Sequence, residues 1–218
     1  YLILNKELVS SKKHWVVEYG FNPSAKIQER KDIPKSSVIT FGTVSRLVPQ
    51  KDLQTLINAF SKISKEVRCK LVIVGDGVQR NELEKLVKSL NLESKVHFLG
   101  KRRDIPELLH AIDAFTLSSK YEGLGLVLLE ALASEVPIIA ARNSAIKEIV
   151  NDDVALMFET SSVIQLETAM RELINNSAET KQRVSRGKIR VQQNFGVDSM
   201  LNGTEKVYSS ILERNREQ

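Results

Sequence analysis

From residue 38 to residue 158 short apolar runs alternate with longer amphipathic stretches. Val38–Val44 (VITFGTV) is apolar and rich in β-branched residues, the pattern of a strand buried on both faces. Asp52–Lys65 carries Leu53, Leu56, Ile57, Phe60 and Ile63 at helical spacing, with Asp52 where an N-cap belongs. Lys70–Val74 reads as a second strand, stopped by Gly75-Asp76-Gly77. Arg80–Leu90 reads as a helix with Leu83, Leu86, Val87 and Leu90 on one face. Val96–Leu99 and Ala114–Leu117 are further short strands, with a helix over Ile105–Ala111 between them. Gly125–Ser134 is helical, and Pro137–Ala141 and Val154–Phe158 are strands. Beyond Ser162 the pattern is helical, over Val163–Ile174, Ala178–Gln193 and Asp198–Arg214.

Strands returning at intervals of roughly 20 to 25 residues with helices between them are βαβ repetition. The expected fold is α/β: a Rossmann-like, doubly wound parallel sheet with closing C-terminal helices. In such sheets ligands sit beyond the carboxyl ends of the strands. That rule selects four loops, Ser45–Lys51, Gly75–Val78, Gly100–Asp104 and Ser118–Gly125. The first 37 residues follow a different pattern. Leu2–Leu4 suits a strand, Glu7–Tyr19 a helix, and the polar Ser24–Ser37 a linker.

Composition narrows the class. The 218 residues are 42% apolar and 27% charged, which excludes general disorder and leaves ample material for a core. Cys69 is the single cysteine, so no intrachain disulfide forms and a reducing, cytoplasmic compartment is expected. No apolar run is long enough to span a bilayer, and Tyr1-Leu-Ile-Leu-Asn-Lys-Glu lacks the form of a secretion signal. A start on tyrosine suggests a piece of something longer. Net charge is +5, which favours anionic partners: a phosphorylated ligand, an acidic membrane face or nucleic acid. Nucleic acid is the weakest of these, because only 12 residues are aromatic and no basic stretch interleaves them.

The strongest local signal is Glu122-Gly-Leu-Gly-Leu-Val-Leu-Leu-Glu130, between a strand and a helix. Gly123 and Gly125 open the backbone to a ligand at a helix N-terminus, where free N–H groups and the dipole favour an anion. Glu122 and Glu130 are placed to grip hydroxyl groups at two ends of one ligand. Arg46 and Lys51 lie in the loop after the first strand and suit a diphosphate, Arg by its fork and Lys as a point charge. Taken singly, Gly123 and Glu130 are as readily a turn glycine and a solvated helix face, and Arg46 and Lys51 are more often ordinary solvated surface cations. Gly75-Asp76-Gly77 is a tight turn by default, and Lys101, Arg102 and Arg103 are by default a solvated loop. Neither a G-x-G-x-x-G after a strand nor a P-loop occurs. His14, His97 and His110 are scattered, no Asp-x-Asp pair is present, and Ser119 has no histidine at hydrolase spacing, so neither a metal site nor a triad is indicated. Cys69, just ahead of an apolar strand, is expected to be buried and inert.

Together, Arg46 with Lys51, Gly75-Asp76-Gly77, Val96–Gly100 and Glu122–Glu130 resemble the C-terminal, donor-binding domain of the GT-B glycosyltransferases of family 4, the group 1 glycosyl transferases. The resemblance runs from about Val38 to Phe158 and continues more weakly through the closing helices. It implies a retaining, metal-independent transfer of sugar from a nucleotide-sugar donor, with no cofactor. Arg46 and Lys51 then match the pair that neutralises the donor diphosphate, and Glu122 the acid that contacts the donor sugar, so these three form the catalytic set. Gly123, Leu124, Gly125 and Leu126 match the loop whose N–H groups hold sugar and phosphate. Glu130 matches the acid that binds the ribose, and the main chain near Lys101 and Arg102 matches the place where the base is read. The implied acceptor is a glycan or a lipid-linked acceptor of surface polysaccharide or lipopolysaccharide type, held by an N-terminal domain.

Residues 1–37 then read as the tail of that domain plus a linker, and residues 38–218 as the donor-binding unit. The basic balance suits peripheral contact with the inner membrane face. The competing reading is a non-catalytic module that binds a nucleotide sugar or a partner. The chain also departs from the family pattern. Ser45 and Asp52 stand where glycine is common, Glu135 and Ala155 replace glycines, and Asn143-Ser144-Ala145 replaces a Gly-Gly pair.

Overall fold

In a computed structural model, which describes Val17, Gly20, Phe21 and residues 38–216, every strand pairs in parallel. The six strands are β1 (Ile39–Val44), β2 (Cys69–Val74), β3 (Val96–Gly100), β4 (Ala114–Leu117), β5 (Ile138–Arg142) and β6 (Leu156–Glu159). The intervening helices are α1 (Leu53–Ile63), α2 (Arg80–Ser89), α3 (Ile105–Ala111), α4 (Leu126–Ala133) and α5 (Ser144–Ile149). Three more close the chain: α6 (Val163–Asn175), α7 (Ser177–Asn194) and α8 (Val197–Arg216).

The sheet order is β3-β2-β1-β4-β5-β6. It follows from the chain: β1, β2 and β3 wind outward in one direction, then α3 carries the chain back so that β4 pairs with the other edge of β1. The order reverses between β1 and β4, and in parallel sheets of this kind that switch point is where a crevice opens at the carboxyl ends. The expected Rossmann-like, doubly wound fold is the fold observed.

Packing explains the strand and helix patterns. Phe41 and Phe115 are closed to solvent, and so are Leu56, Ile57, Phe60 and Ile63 of α1, with Phe60 edge-on to Phe41 at 6.4 Å. Burial on both faces is why the central strands read as unbroken apolar runs rather than as alternating ones. Helix α1 packs against α2 and α6, and α4 packs against α7. Phe21 N–H donates to Phe195 O (2.7 Å), tying that residue to the junction of α7 and α8.

Some expectations are corrected. Asp52 precedes α1 but makes no side-chain cap. Its backbone is left-handed (φ 48°), and its carboxylate accepts instead from Ser161 Oγ at 2.6 Å. The last strand begins at Leu156 rather than Val154, because residues 151–155 form a turn. Helix α5 is absent from the sequence reading, since six residues are too few to show a helical period. Cys69 is the first residue of β2 rather than its predecessor. Leu2–Leu4, Ser24–Ser37 and nearly all of Glu7–Tyr19 lie outside the described residues.

Gly75-Asp76-Gly77 is structural. A Cβ on Gly75 (φ 128°) would meet Ser45 O at 1.8 Å, and one on Gly77 would meet Leu47 O at 2.4 Å. The loop after β2 thus lies directly against the loop after β1, held by Leu47 N–H to Asp76 O and Gln79 N–H to Leu47 O, both 3.0 Å. Gly75→Ala should lower the unfolding free energy by about 2–4 kcal/mol in urea denaturation, since both φ and the contact oppose a side chain. A loss below about 0.5 kcal/mol would contradict this packing.

Candidate functional site

Two loops meet over the β1/β4 crevice. The loop after β1 is anchored by Leu47, fully buried, and turns through Pro49–Lys51 before the left-handed Asp52 starts α1. The loop after β4 begins with Ser118 and Ser119, both buried. Ser118 Oγ donates to Lys51 O at 2.8 Å, and Lys120 N–H donates to Gln50 O at 2.8 Å, so each loop holds the other's main chain.

Side chains cross the crevice as well. Lys51 Nζ donates to Glu122 Oε1 at 2.6 Å, with the two side chains 15% and 8% exposed. Ser119 Oγ donates to that same oxygen at 2.6 Å. Asn143, the N-cap of α5, accepts from Ile146 N–H and donates through Nδ2 to Ser119 O at 2.9 Å. Asp52 is 7% exposed and binds Ser161 Oγ, while Lys120 Nζ lies 3.7 Å from its other oxygen. The result is one polar network that joins the loops after β1, β4, β5 and β6.

Of the residues singled out from sequence, the structure brings Lys51 and Glu122 into direct contact although 71 positions separate them. Arg46 is exposed in the same loop as Lys51, and its guanidinium has no partner among the described residues. Gly123 faces open space, and Gly125 takes φ 63° to start α4. No side chain caps α4; Leu128 N–H donates to Gly125 O (2.8 Å), which leaves the N–H groups of Leu126 and Val127 for an anion. Leu124 is half-buried and Leu126 exposed in this loop. Glu130 sits just past the first turn of α4, half-buried, its carboxylate without a hydrogen-bond partner among the described residues; burial holds that carboxyl above the ordinary value of 4.5.

Lys101 and Arg102 stand apart. They follow β3, two strands from β1, and are exposed. Arg102 grips Asp104 with Nε at 2.8 Å and a terminal nitrogen at 2.5 Å, which holds the Asp104 carboxyl below its usual range. The link from this loop toward the crevice is main chain, Gly75 N–H to Gly100 O at 2.8 Å.

Sequence reasoning missed Ser118, Ser119 and Asn143 as supports. In the sequence Ser119 stands out only as a candidate nucleophile, and Asn143 only as a departure from glycine. Cys69 is buried at the opposite end of the sheet, where burial pushes its thiol up to about 11. A cavity of about 450 Å³ opens at that same amino end of β1 and β2, lined in part by Lys65, Arg68, Lys70 and Lys95. It shares no residue with the crevice. Among the described residues no three His, Cys, Asp or Glu side chains gather as a metal site, and no helix is long and apolar enough to cross a membrane.

Comparison with known proteins gives the family and the fold. The family model for glycosyl transferases group 1 matches residues 25–190. N-acetyl-alpha-D-glucosaminyl L-malate synthase of Bacillus anthracis is 31% identical over 196 residues, covering 89% of this chain and 48% of that protein. The crystal structure of Anabaena Alr3699/HepE in complex with UDP and glucose superposes with a TM-score of 0.74 at 27% identity, covering 80% of this chain and 49% of that one. The C-terminal domain of a glycosyl transferase group 1 family protein (LpcC) from Francisella tularensis gives 0.68 at 27% identity, covering 83% of this chain and 97% of that one. The chain thus spans about half the length of the Bacillus anthracis and Anabaena proteins.

Glu130 generates a pH-dependent expectation. Its folded carboxyl titrates above the unfolded value, so burial of the charged form lowers stability at neutral pH and costs nothing once the group is protonated. Glu130→Gln should therefore raise the melting temperature at pH 7. The gain should shrink as pH falls through the raised folded value and vanish below about 4.5. A gain that is absent at pH 7, or that persists in acid, would contradict the buried, unpartnered carboxylate.

Proposed function

The chain belongs to the group 1 glycosyl transferases, and we propose that it is the donor-binding half of an enzyme that moves a sugar from a nucleoside diphosphate to a glycan or lipid-linked acceptor. The observation that carries this reading is the Lys51–Glu122 pair at the sheet's switch point, with exposed Arg46 in the same loop and the open N-terminus of α4 following Glu122. The Anabaena structure that superposes on this chain holds UDP and glucose.

In this reading the reaction breaks the bond between the anomeric carbon and the diphosphate, and the bonding pair leaves with the phosphate oxygen. Lys51, Arg46 and the first N–H groups of α4 stabilise that charge where it develops. Glu122 holds a hydroxyl of the donor sugar. Glu130, unpaired and half-buried, accepts from the ribose hydroxyls, and its raised pKa is relieved by the donors it gains. The main chain beside Lys101 and Arg102 reads the base. The chain's own cations, rather than a divalent metal, neutralise the leaving group, and transfer retains configuration as in family 4. Residues 1–37 belong with the acceptor half and its linker. The acceptor is of surface polysaccharide or lipopolysaccharide type, as the family resemblance implies, and peripheral contact at the inner membrane face suits the net charge of +5.

Calorimetric titration with UDP, GDP, ADP and CMP in chelator tests the reading. One diphosphate should be selected. Glu130→Ala should weaken it by about tenfold or more, since a hydrogen bond to a charged group contributes about 1.5–3 kcal/mol. Binding that is indifferent to Glu130→Ala, or that appears only when a divalent metal is added, would contradict it.

A further inference from the structure

Lys51 and Glu122 are largely closed to water, and the ammonium lies 2.6 Å from Oε1. Ser119 Oγ reaches the same oxygen at 2.6 Å from a fully buried side chain. The crevice therefore presents a neutralised cation rather than a free one. An anion that approaches Lys51 also approaches the carboxylate. To take the ammonium for itself, it must leave Glu122 in a poorly solvated place with the Ser119 hydroxyl alone. Hydroxyl groups on the ligand change that balance, because each can donate to the carboxylate and stand in for the ammonium. A bare phosphate cannot, since its deprotonated oxygens only accept.

We infer that Glu122 masks Lys51, and that the mask makes the crevice select a nucleoside diphosphate carrying a sugar over the same diphosphate without one. The inference rests on the reading of the site as a donor pocket and adds to it a specificity role for Glu122. Arg46, exposed and unpartnered among the described residues, is outside the mask and attracts either ligand. The mask also gives the reaction a direction of release. Once the sugar has gone, the diphosphate product loses the hydroxyls that compensated Glu122, the ion pair re-forms, and the product leaves.

The test is titration of the chain and of Glu122→Gln with UDP, GDP and ADP and with their glucose conjugates. Glu122→Gln should bind at least one free diphosphate about tenfold or more tightly than wild type does, and the preference for the sugar-bearing form should narrow by a similar factor. Equal or weaker binding of the free diphosphate by Glu122→Gln overturns the mask. Tighter binding of both forms with the preference unchanged overturns the discrimination. Binding of no nucleotide by either protein overturns the donor-pocket reading, and the mask with it. If Glu122→Gln does not fold, wild type alone decides. A free diphosphate about tenfold or more weaker than a conjugate supports the mask, and equal affinity overturns it.

Discussion

The ion pair between Lys51 and Glu122 joins the loop after β1 to the loop after β4, and both side chains are nearly closed to solvent. Removing one partner from such a pair leaves an uncompensated charge in a poorly solvated site, a loss of about 3–5 kcal/mol. The contact exists because the sheet places β4 beside β1, which in turn depends on the crossover through α3. The crevice geometry, the register of the two loops and the proposed donor site all hang on this juxtaposition.

The surrounding bonds keep the pair in place. Ser118 fixes the main chain of Lys51 and Ser119 the carboxylate of Glu122, so two adjacent hydroxyls at the end of β4 serve both partners. Asn143 reaches from the start of α5 to hold Ser119. Asp52 takes a left-handed backbone, a conformation that costs a non-glycine residue about 1–2 kcal/mol, and the bond from Ser161 together with the nearby Lys120 ammonium offsets that strain. The clasp of Asp52 keeps the residue after Lys51 from shifting. Glu135 is likewise left-handed, and Lys188 pairs with it at 2.7 Å.

How much of this is legible in the sequence follows from what local patterns encode. Strands buried on both faces and amphipathic helices declare themselves through periodicity, so all six strands and the long helices lie within a few residues of their expected places. Short α5 does not, because one and a half turns carry no period. Sheet order is not a local property. The Lys51–Glu122 meeting is foreseeable only through the rule that ligands bind at strand carboxyl ends and through resemblance to known motifs. The serine and asparagine supports were invisible because their roles are single hydrogen bonds between residues far apart in the chain. Arg102 shows the reverse: Asp104, two positions on, is in plain view in the sequence and engages its guanidinium. Where Asp52 and Glu135 replace expected glycines, the backbone keeps the glycine-like conformation, so resemblance located the turns although the residues differ.

A crystal structure of the chain grown with the nucleoside diphosphate it binds tests the central claim most directly. The account expects the diphosphate over the β1/β4 crevice, within hydrogen-bond reach of Lys51 Nζ and the first N–H groups of α4, with the ribose on Glu130. A nucleotide seated elsewhere, such as the cavity beside Lys65 and Lys95, with the Lys51–Glu122 pair untouched, would contradict it.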